Sequence, residues 1–262
     1  MSGSPIEAAE ASISISDPGE VNRDQHLWGD RLMINIGNIT AWLFPLLMVA
    51  IVTQVIIRKM GYNQAWLDDA QWWMYGFAML VGFGYAITTD SHVRVDILHQ
   101  NFSPERKARI EVFALGWLLL PFLGIMTDFL FHYAVSSVVA REGSDSPNGL
   151  HMLYLLKASL PLMFFVAIIA AWSATKRNLG MLKPVTFARM IMATLPFAIF
   201  VADRIVFYAL YWFTRISNPD LNPRRISREP IFEYEVLIAV ILLALVAAIS
   251  ILRNRNSPSS EA

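Results

Sequence analysis

The chain has 262 residues, of which 55% are hydrophobic and only 16% are charged, and its formal net charge at pH 7 is zero. Soluble domains carry about 25% charged residues, and here the charge is missing in blocks, which indicates membrane spans and not a larger soluble core. The balanced charge excludes a global field that attracts nucleic acid, and the lack of cysteine excludes disulfides, Cys-ligated zinc, iron–sulfur clusters and thiol nucleophiles.

The N-terminal stretch is acidic and polar. Residues 1–30 contain six acidic residues and a single basic one, Arg23. A signal peptide needs a basic start and an apolar core, and this stretch has neither. We therefore predict a polar cytoplasmic tail over residues 1–30, followed by a first span that is retained as an anchor.

Six apolar segments follow, each of roughly 17 to 26 residues, and a helix needs about 20 residues to cross ~30 Å of hydrocarbon. Barrel strands need only about 10 alternating residues. The pattern predicts an all-α integral membrane protein. The predicted spans are about Ile34 to Ile57, Trp72 to Thr89, Ile110 to Tyr133, Met152 to Trp172, Ala188 to Phe213 and Val236 to Leu252.

The third and fourth segments carry start signals and prolines. Ser103 can cap the third helix, Pro104 suits its first turn, and Glu105 complements the helix dipole. Pro121 and Pro161 lie inside the third and fourth segments. Membrane helices tolerate proline where neighbouring groups satisfy the freed carbonyl, so we expect kinks and no chain breaks.

The positions of lysine and arginine indicate the orientation. Cytoplasmic loops carry an excess of these residues. For the first four spans the excess clearly favours an N-terminus in the cytoplasm, whereas the basic loop between the fifth and sixth spans does not fit this orientation. The distribution of lysine and arginine therefore does not assign an orientation to the last pair of spans.

The loop after the second predicted span, TTDSHVRVDILHQ, is dense in ionisable residues. If the second helix continues through it, His92 and Asp96 share a face and Arg94 lies on another. One interpretation is a solvated, ion-paired loop, and the other is a contact with a partner. A catalytic His–Asp pair also needs a nucleophile and a pocket, and no recognisable nucleophile is nearby. We predict no catalytic, cofactor or metal site.

Small residues recur at spacing four, a pattern that lets membrane helices approach closely. They predict helix packing without naming the partner helix. The stripes are Ala78, Gly82 and Ala86 on the second predicted span, Ala167 and Ala171 on the fourth, and Ala244 and Ala248 on the sixth.

Three stretches, WLDDAQWWMYGFAMLVGFGYAITTDSHVRVDIL, SPERKARIEVFALGWLLLPF and REGSDSPNGLHMLYLLKASLPLMF, carry a family resemblance. In their order and spacing they resemble the small DctQ-type membrane subunit, of the larger branch, of tripartite ATP-independent periplasmic (TRAP) transporters. The resemblance covers about residues 30–178. The HVRVD run and the run entering the fourth span carry most of it.

The resemblance implies a four-helix protein of the bacterial inner membrane with cytoplasmic termini. It implies a scaffold for a large multi-span subunit that holds the substrate and sodium sites. A periplasmic solute-binding protein would deliver the substrate, commonly an organic acid. By this likeness the chain has no catalytic centre, and its partners are these two proteins and membrane lipids.

Two features depart from the family pattern. Asp68 and Asp69 stand where the family tends to carry glutamate, and we interpret them as helix N-caps. Two apolar segments extend beyond the usual four. The predicted division is a four-helix membrane domain over residues 31–178 and an extension with two further spans over residues 179–262.

Candidate interface or structural residues and candidate intramembrane polar residues follow from the resemblance and from the cost of charge in a bilayer. Asp203 and Arg204 point about 100° apart on a helix, so we expect each to need a partner on another helix or subunit instead of pairing directly. Lys157 can snorkel outward or contact the large subunit. The first set is His92, Arg94, Asp96, Asp68, Asp69, Glu142 and Lys157, and the second is Asp128, Asp203 and Arg204.

The alternative to a transporter subunit is a haem- or quinone-linked membrane anchor of a respiratory complex. A bis-histidine haem site needs histidines that face each other within the bilayer. Of the five histidines only His132 lies in a predicted span. A carrier that acts alone is disfavoured by the absence of a repeat between the two halves, and an enzyme by the absence of a catalytic motif.

Overall fold

The computed structural model describes residue 19 and residues 23–91 and 102–256. Within these ranges the chain is helical and contains no β-strand. The helices are α1 (Trp28–Ala41), α2 (Leu43–Lys59), α3 (Ala65–Thr88), α4 (Pro104–Phe113), α5 (Leu120–Ala140), α6 (Leu153–Leu182), α7 (Phe187–Ala193), α8 (Leu195–Ser217) and α9 (Glu235–Asn256). A π-helical turn (Ala114–Leu119) joins α4 to α5, and 3-10 turns cover Arg23–Gln25, Pro223–Arg228 and Pro230–Tyr234.

Five helical stretches among the described residues are long and apolar enough to cross a membrane. They confirm the prediction of an all-α membrane protein. The second predicted span forms a helix, α3, but is not among the five, because Asp68, Asp69 and Gln71 stand near its start and aromatic residues replace aliphatic ones. The five stretches are Trp28–Lys59, Pro104–Ala140, Leu153–Leu182, Leu195–Ser217 and Pro230–Arg253.

Large apolar side chains cover the outside of these helices. Along α9, Leu245 and Ile249 are 54% and 63% exposed, and in α2 only Gln54 is buried. Soluble monomers rarely expose continuous apolar patches of this extent. Lipid or an apolar partner must therefore cover these faces.

The first and fifth predicted spans differ in how regular they are. The first contains a one-residue turn at Trp42 between α1 and α2, but the backbone there keeps helical angles (φ −66°, ψ −15°), and Trp28–Lys59 remains one candidate span. The fifth, predicted to be continuous from Ala188, is broken at Thr194, whose φ of −121° and ψ of 30° are not helical. Pro196 follows in the first turn of α8, where a missing N–H costs no helical hydrogen bond. The expectation of one continuous fifth helix is therefore wrong.

The third and fourth predicted spans are continuous helices, as expected. Ser103 accepts a hydrogen bond from the Arg106 N–H at 3.4 Å and caps α4. The π-helical turn precedes Pro121, and the Leu120 N–H bonds to the Leu115 carbonyl five residues earlier. This wider turn absorbs the proline without a break. Pro161 likewise lies within an uninterrupted α6.

The chain divides into two compact units. The first comprises Met1–Phe102 and Met126–Arg177, and its described core packs Met33 of α1, Val81 of α3 and Met163 of α6 together. The second comprises Ser103–Ile125 and Asn178–Ala262. Its buried residues include Leu120, Leu123, Phe197, Val206 and Ile226. The domain division at residue 178 stays a prediction.

Close helix approach occurs at glycines that the small-residue stripes did not include. A Cβ on Gly29 of α1 would lie 2.2 Å from the Ser173 hydroxyl and 2.9 Å from the Ile169 carbonyl oxygen, both on α6. Around Gly82, which the stripe did include, no atom lies within 4 Å of such a Cβ. Buried Ala167 and Ala171 do line α6 in the interior, whereas Ala244 and Ala248 are exposed.

Candidate subunit-interface site

Asp68 connects the C-terminal part of α2 to the first turn of α3. Its carboxylate accepts hydrogen bonds from the Gln54 amide and from the Arg58 guanidinium, the latter at 3.1 and 3.2 Å, and Gln71 donates to Gln54. The N-cap residue of α3 is Gln64, and no side chain caps the helix. The predicted capping role is therefore wrong for Asp68. Helix α3 already begins at Ala65, and the Asp68 carboxylate binds side chains of α2.

Asp69 holds the loop between α5 and α6. Its Oδ2 accepts a hydrogen bond from the Leu150 N–H at 2.9 Å, across 81 positions of sequence. A Cβ on Gly149 would lie 2.5 Å from the same oxygen, so the loop backbone approaches the carboxylate as only glycine allows. Asn148, with a φ of +70°, makes the preceding turn. The predicted capping role is wrong for Asp69 too, because this carboxylate is directed at the loop.

Glu142 and Lys157 form an ion pair in the same region. The Lys157 ammonium donates to the Glu142 carboxylate and lies 4.5 Å from the centre of the Tyr133 ring. The hydrogen bond from Lys157 lowers the pKa of the Glu142 carboxyl below its ordinary value. The Tyr154 N–H bonds to the Glu142 carbonyl at 3.3 Å. The pair therefore closes the loop onto the start of α6.

Asp69, Glu142 and Lys157 thus lie around one loop, and Asp68 precedes Asp69 in the chain and binds α2. We call these four predicted residues the rim cluster. Lys157 is 14% exposed at its side chain, whereas Asp68 and its partner Arg58 are 41% and 61% exposed. Asp69, Glu142 and Lys157 hold the loop in place, whereas Asp68 forms an exposed ion pair with Arg58. The remaining predicted interface residues, His92, Arg94 and Asp96, lie outside the described residues.

A buried ion pair that the sequence analysis missed joins α1 to α6. Asp30 has no solvent exposure, and its Oδ2 lies 3.0 Å from Nη1 of Arg177 and accepts the Leu27 N–H at 2.9 Å. Arg177 Nη2 also donates to the Thr88 carbonyl at 3.3 Å and lies 3.8 Å from Asp90. One sequence signal was available: Asp30 and Arg177 stand at span ends that the topology places on the same side.

His26 belongs to the same buried region. It is 6% exposed, and burial lowers the pKa of its imidazole, although the nearby Asp30 carboxylate acts in the opposite direction. Buried polar atoms of His26, Asp30, Thr88 and Arg177 lack a hydrogen-bond partner within the described residues. The buried ion pair is therefore electrostatically balanced but not fully hydrogen-bonded.

Asp203 and Arg204 pair directly, contrary to expectation. Arg204 Nη2 and Nε lie 2.7 and 3.2 Å from Oδ2 of Asp203. The long arginine side chain folds back along the helix and so closes the angle between adjacent positions. Arg204 also lies 3.5 Å from Glu235 of α9 and 4.9 Å from the Phe207 ring centre. The expected partner on another helix is present, and the expectation that the neighbours cannot pair is wrong.

Asp128 lies 4.0 Å from His132, one helical turn along α5. Among the described residues, no group of three or more His, Asp or Glu side chains could hold a metal ion. The Asp30–Arg177, Arg58–Asp68 and Arg204–Glu235 pairs join different helices, whereas Asp128–His132 and Asp203–Arg204 lie within one helix. This arrangement suits mechanical support of helices.

Comparison with known proteins identifies the family. The family model "Tripartite ATP-independent periplasmic transporters, DctQ component" matches residues 47–181, which is more than half of the chain. Searches of curated proteins and of solved structures found no match. The DctQ component is part of a transporter, so the family match favours the predicted transporter subunit over a respiratory anchor. The chain belongs to the DctQ family and is a small permease subunit of a TRAP transporter.

Proposed function

We propose that this subunit is the fixed scaffold of a sodium-driven uptake system in the bacterial inner membrane, with its N-terminus in the cytoplasm. A large multi-span subunit carries out transport on this scaffold, and a periplasmic solute-binding protein delivers the solute, an organic acid. Membership of the DctQ family supports this arrangement as a general property of the tripartite system.

The proposal rests on contacts of charged side chains that, in the part of the chain that the structure describes, join one helix to another or to a loop. Asp30 and Arg177 tie α1 to α6, Asp68 ties α2 to α3, and Asp69 ties α3 to the loop between α5 and α6. A carrier that acts alone needs polar groups that converge on a midplane site. Charges that brace helix ends against one another instead favour a rigid support.

The proposed contact surface for the large subunit combines the exposed apolar face of α2 with the rim cluster, and we propose the HVRVD run as a further contact. Membrane helices associate through close packing and polar contacts between helices. The exposed Arg58–Asp68 pair lies at the end of the apolar α2 face and supplies such a contact. Side chains of the large subunit can bind this exposed pair without disturbing the contacts of Asp69 or Glu142.

Gentle-detergent purification of a tagged chain from its native membrane, followed by mass spectrometry of the co-eluting proteins, tests the proposal. We expect a large polytopic membrane protein in near-stoichiometric yield. Recovery of the chain without such a partner, or transport by the isolated chain in vesicles, contradicts the scaffold function.

Substitution of Arg94 and Asp96 by glutamine and asparagine tests the HVRVD part of the surface. We expect lower complex yield and lower sodium-dependent uptake while the chain still inserts. Asp220→Asn/Arg225→Gln, which likewise removes one anion and one cation from exposed positions, serves as the matched control. Wild-type assembly and uptake in the double variant exclude this part of the surface.

A further inference from the structure

A cleft at one end of the second unit combines cationic and apolar walls. It measures about 390 Å³ and lies where two candidate spans end, at the start of Pro104–Ala140 and the end of Leu153–Leu182. Its walls come from α4, from the last turn of α6 and from the residue after it. The lining residues are Glu105, Arg109, Leu179, Met181, Leu182 and Lys183.

The two cations of the cleft come from different segments and are accessible. The Arg109 side chain is 73% exposed, and Lys183 is also exposed. Glu105 is the anionic residue in the lining, and it lies 3.9 Å from Arg109, at the limit of an ion pair. The lining thus keeps one net positive charge, and Arg109 has donors left for a second anion.

An exposed aromatic stripe continues from Arg109 into the apolar part of the helix. Phe113 and Trp117 are 54% and 41% exposed, and their rings stack with centroids 6.0 Å apart. Residues at spacing four share a helix face, so both rings follow Arg109 along one side. A molecule whose anionic end binds Arg109 and Lys183 therefore meets a continuous apolar track below it.

We propose that this cleft binds an anionic membrane phospholipid, with its phosphate on Arg109 and Lys183 and one acyl chain along Phe113 and Trp117. The guanidinium group of arginine and the ammonium group of lysine bind phosphate well. Aromatic rings favour the boundary between lipid headgroups and hydrocarbon. Charge complementarity selects the headgroup, and continuity with the apolar helix face selects a lipid over a free anion. Lipid binding in this cleft does not require the large subunit.

Fluorescence quenching by brominated lipid tests the proposal on the full chain in vesicles. The chain has eight tryptophans, so the Trp117 signal is obtained as the difference between the wild type and Trp117→Phe. We expect dibrominated phosphatidylglycerol in a phosphatidylcholine bilayer to quench this signal at low mole fraction. In Arg109→Gln/Lys183→Gln the apparent affinity should fall about thirtyfold, since each basic residue near the surface attracts anionic lipid.

The matched control is Lys59→Gln/Arg225→Gln, which removes the same charge from exposed positions outside the cleft. This variant should retain wild-type quenching. Gel filtration and circular dichroism check that both double variants are folded, which their exposed positions favour. Equal quenching in the cleft variant and the wild type overturns the proposal, and so does equal quenching by brominated phosphatidylcholine and phosphatidylglycerol.

Inorganic phosphate distinguishes a lipid from a free anion. At matched ionic strength, millimolar phosphate should leave the quenching by brominated phosphatidylglycerol unchanged. Loss of quenching in phosphate but not in chloride would mean that a free anion occupies the cleft, and the lipid proposal would fail.

Discussion

Asp30 places a carboxylate where no solvent reaches it, with Arg177 3.0 Å away. A charge in such a position is tolerated only with a partner, and removal of Asp30 leaves Arg177 with only the partly exposed Asp90, 3.8 Å away. We therefore expect a single substitution at this pair to have a large effect on stability.

Asp30→Asn should lower the free energy of unfolding by roughly 3–5 kcal/mol, because Arg177 then loses its fully buried counter-charge. Urea or SDS unfolding in detergent micelles measures the change. Glu105→Gln, which breaks the exposed pair with Arg109, is the matched control and should cost about 1 kcal/mol or less. Equal effects of the two substitutions would show that the buried pair has no special role.

The Glu142 ion pair predicts a pH dependence. The pKa of Glu142 is lowered in the folded chain by Lys157, so folding favours the ionised form. The contribution is present at neutral pH and is lost as the pH falls through the lowered pKa of the folded state. Melting temperatures of wild type and Glu142→Gln, followed from about pH 7 to about pH 3, should differ at neutral pH and converge in acid.

Lys157→Gln provides the thermodynamic cycle for this prediction. In that background Glu142→Gln should change the melting temperature at neutral pH much less, because Lys157 is the largest cause of the lowered pKa and Ser137 the next. If Glu142→Gln lowered the melting temperature by the same amount in the Lys157→Gln background as in the wild type, a group other than Lys157 would be responsible for the lowered pKa of Glu142.

At the scale of the helices, apolar run length predicted where helices form but not where they begin or break. α3 starts well before its apolar run, at Ala65, and α6 continues through Lys176 and Arg177 to Leu182. Thr194 ends α7 within an apolar run, next to Pro196. Hydrogen bonding and packing decide these boundaries, and hydropathy does not record them.

The π-helical turn approaches the end of α7 closely. A Cβ on Gly116 would lie 2.2 Å from the Ala193 carbonyl oxygen, a backbone atom that cannot move aside by a change of rotamer. Gly116→Ala should therefore destabilise the chain by roughly 1–3 kcal/mol, as overpacking does. Detergent unfolding measures the difference.

Gly82→Ala is the control for this prediction, because no atom lies within 4 Å of its added Cβ. Alanine is the better helix former, so this variant should be neutral or more stable by up to about 1 kcal/mol. If Gly116→Ala were equally well tolerated, the close approach would not matter for stability.

At the scale of the whole molecule, Ser103–Ile125 belongs to the same compact unit as the C-terminal residues. Gly124 of α5 lies against Phe197 and Phe200 of α8, at 3.0 and 3.2 Å from its added Cβ. The segment after Leu182 is therefore part of the structure that supports the π-helical turn and the start of α5, although the family match ends at residue 181.

A chain truncated after Leu182 should lose this support and give a lower yield of monodisperse protein in detergent, because apolar residues around Gly116 and Gly124 become uncovered. Size-exclusion chromatography measures the yield. Truncation after Ser217 retains α7 and α8 and should be milder. Full monodispersity of the shorter chain would mean that the C-terminal segment is a dispensable appendage.

The sequence alone determined the all-α membrane class, the approximate position of each helix and the family, because backbone groups in hydrocarbon must bond within their own segment and long apolar runs record that requirement. It also named Asp68, Asp69, Glu142 and Lys157 before their contacts were known. Only the tertiary structure showed which residues these four contact. It also revealed the Asp30–Arg177 ion pair and the ion pair between the neighbours Asp203 and Arg204. Ion pairs depend on which helix ends meet in space, and residues 81 positions apart, such as Asp69 and Leu150, carry no local signal of that contact.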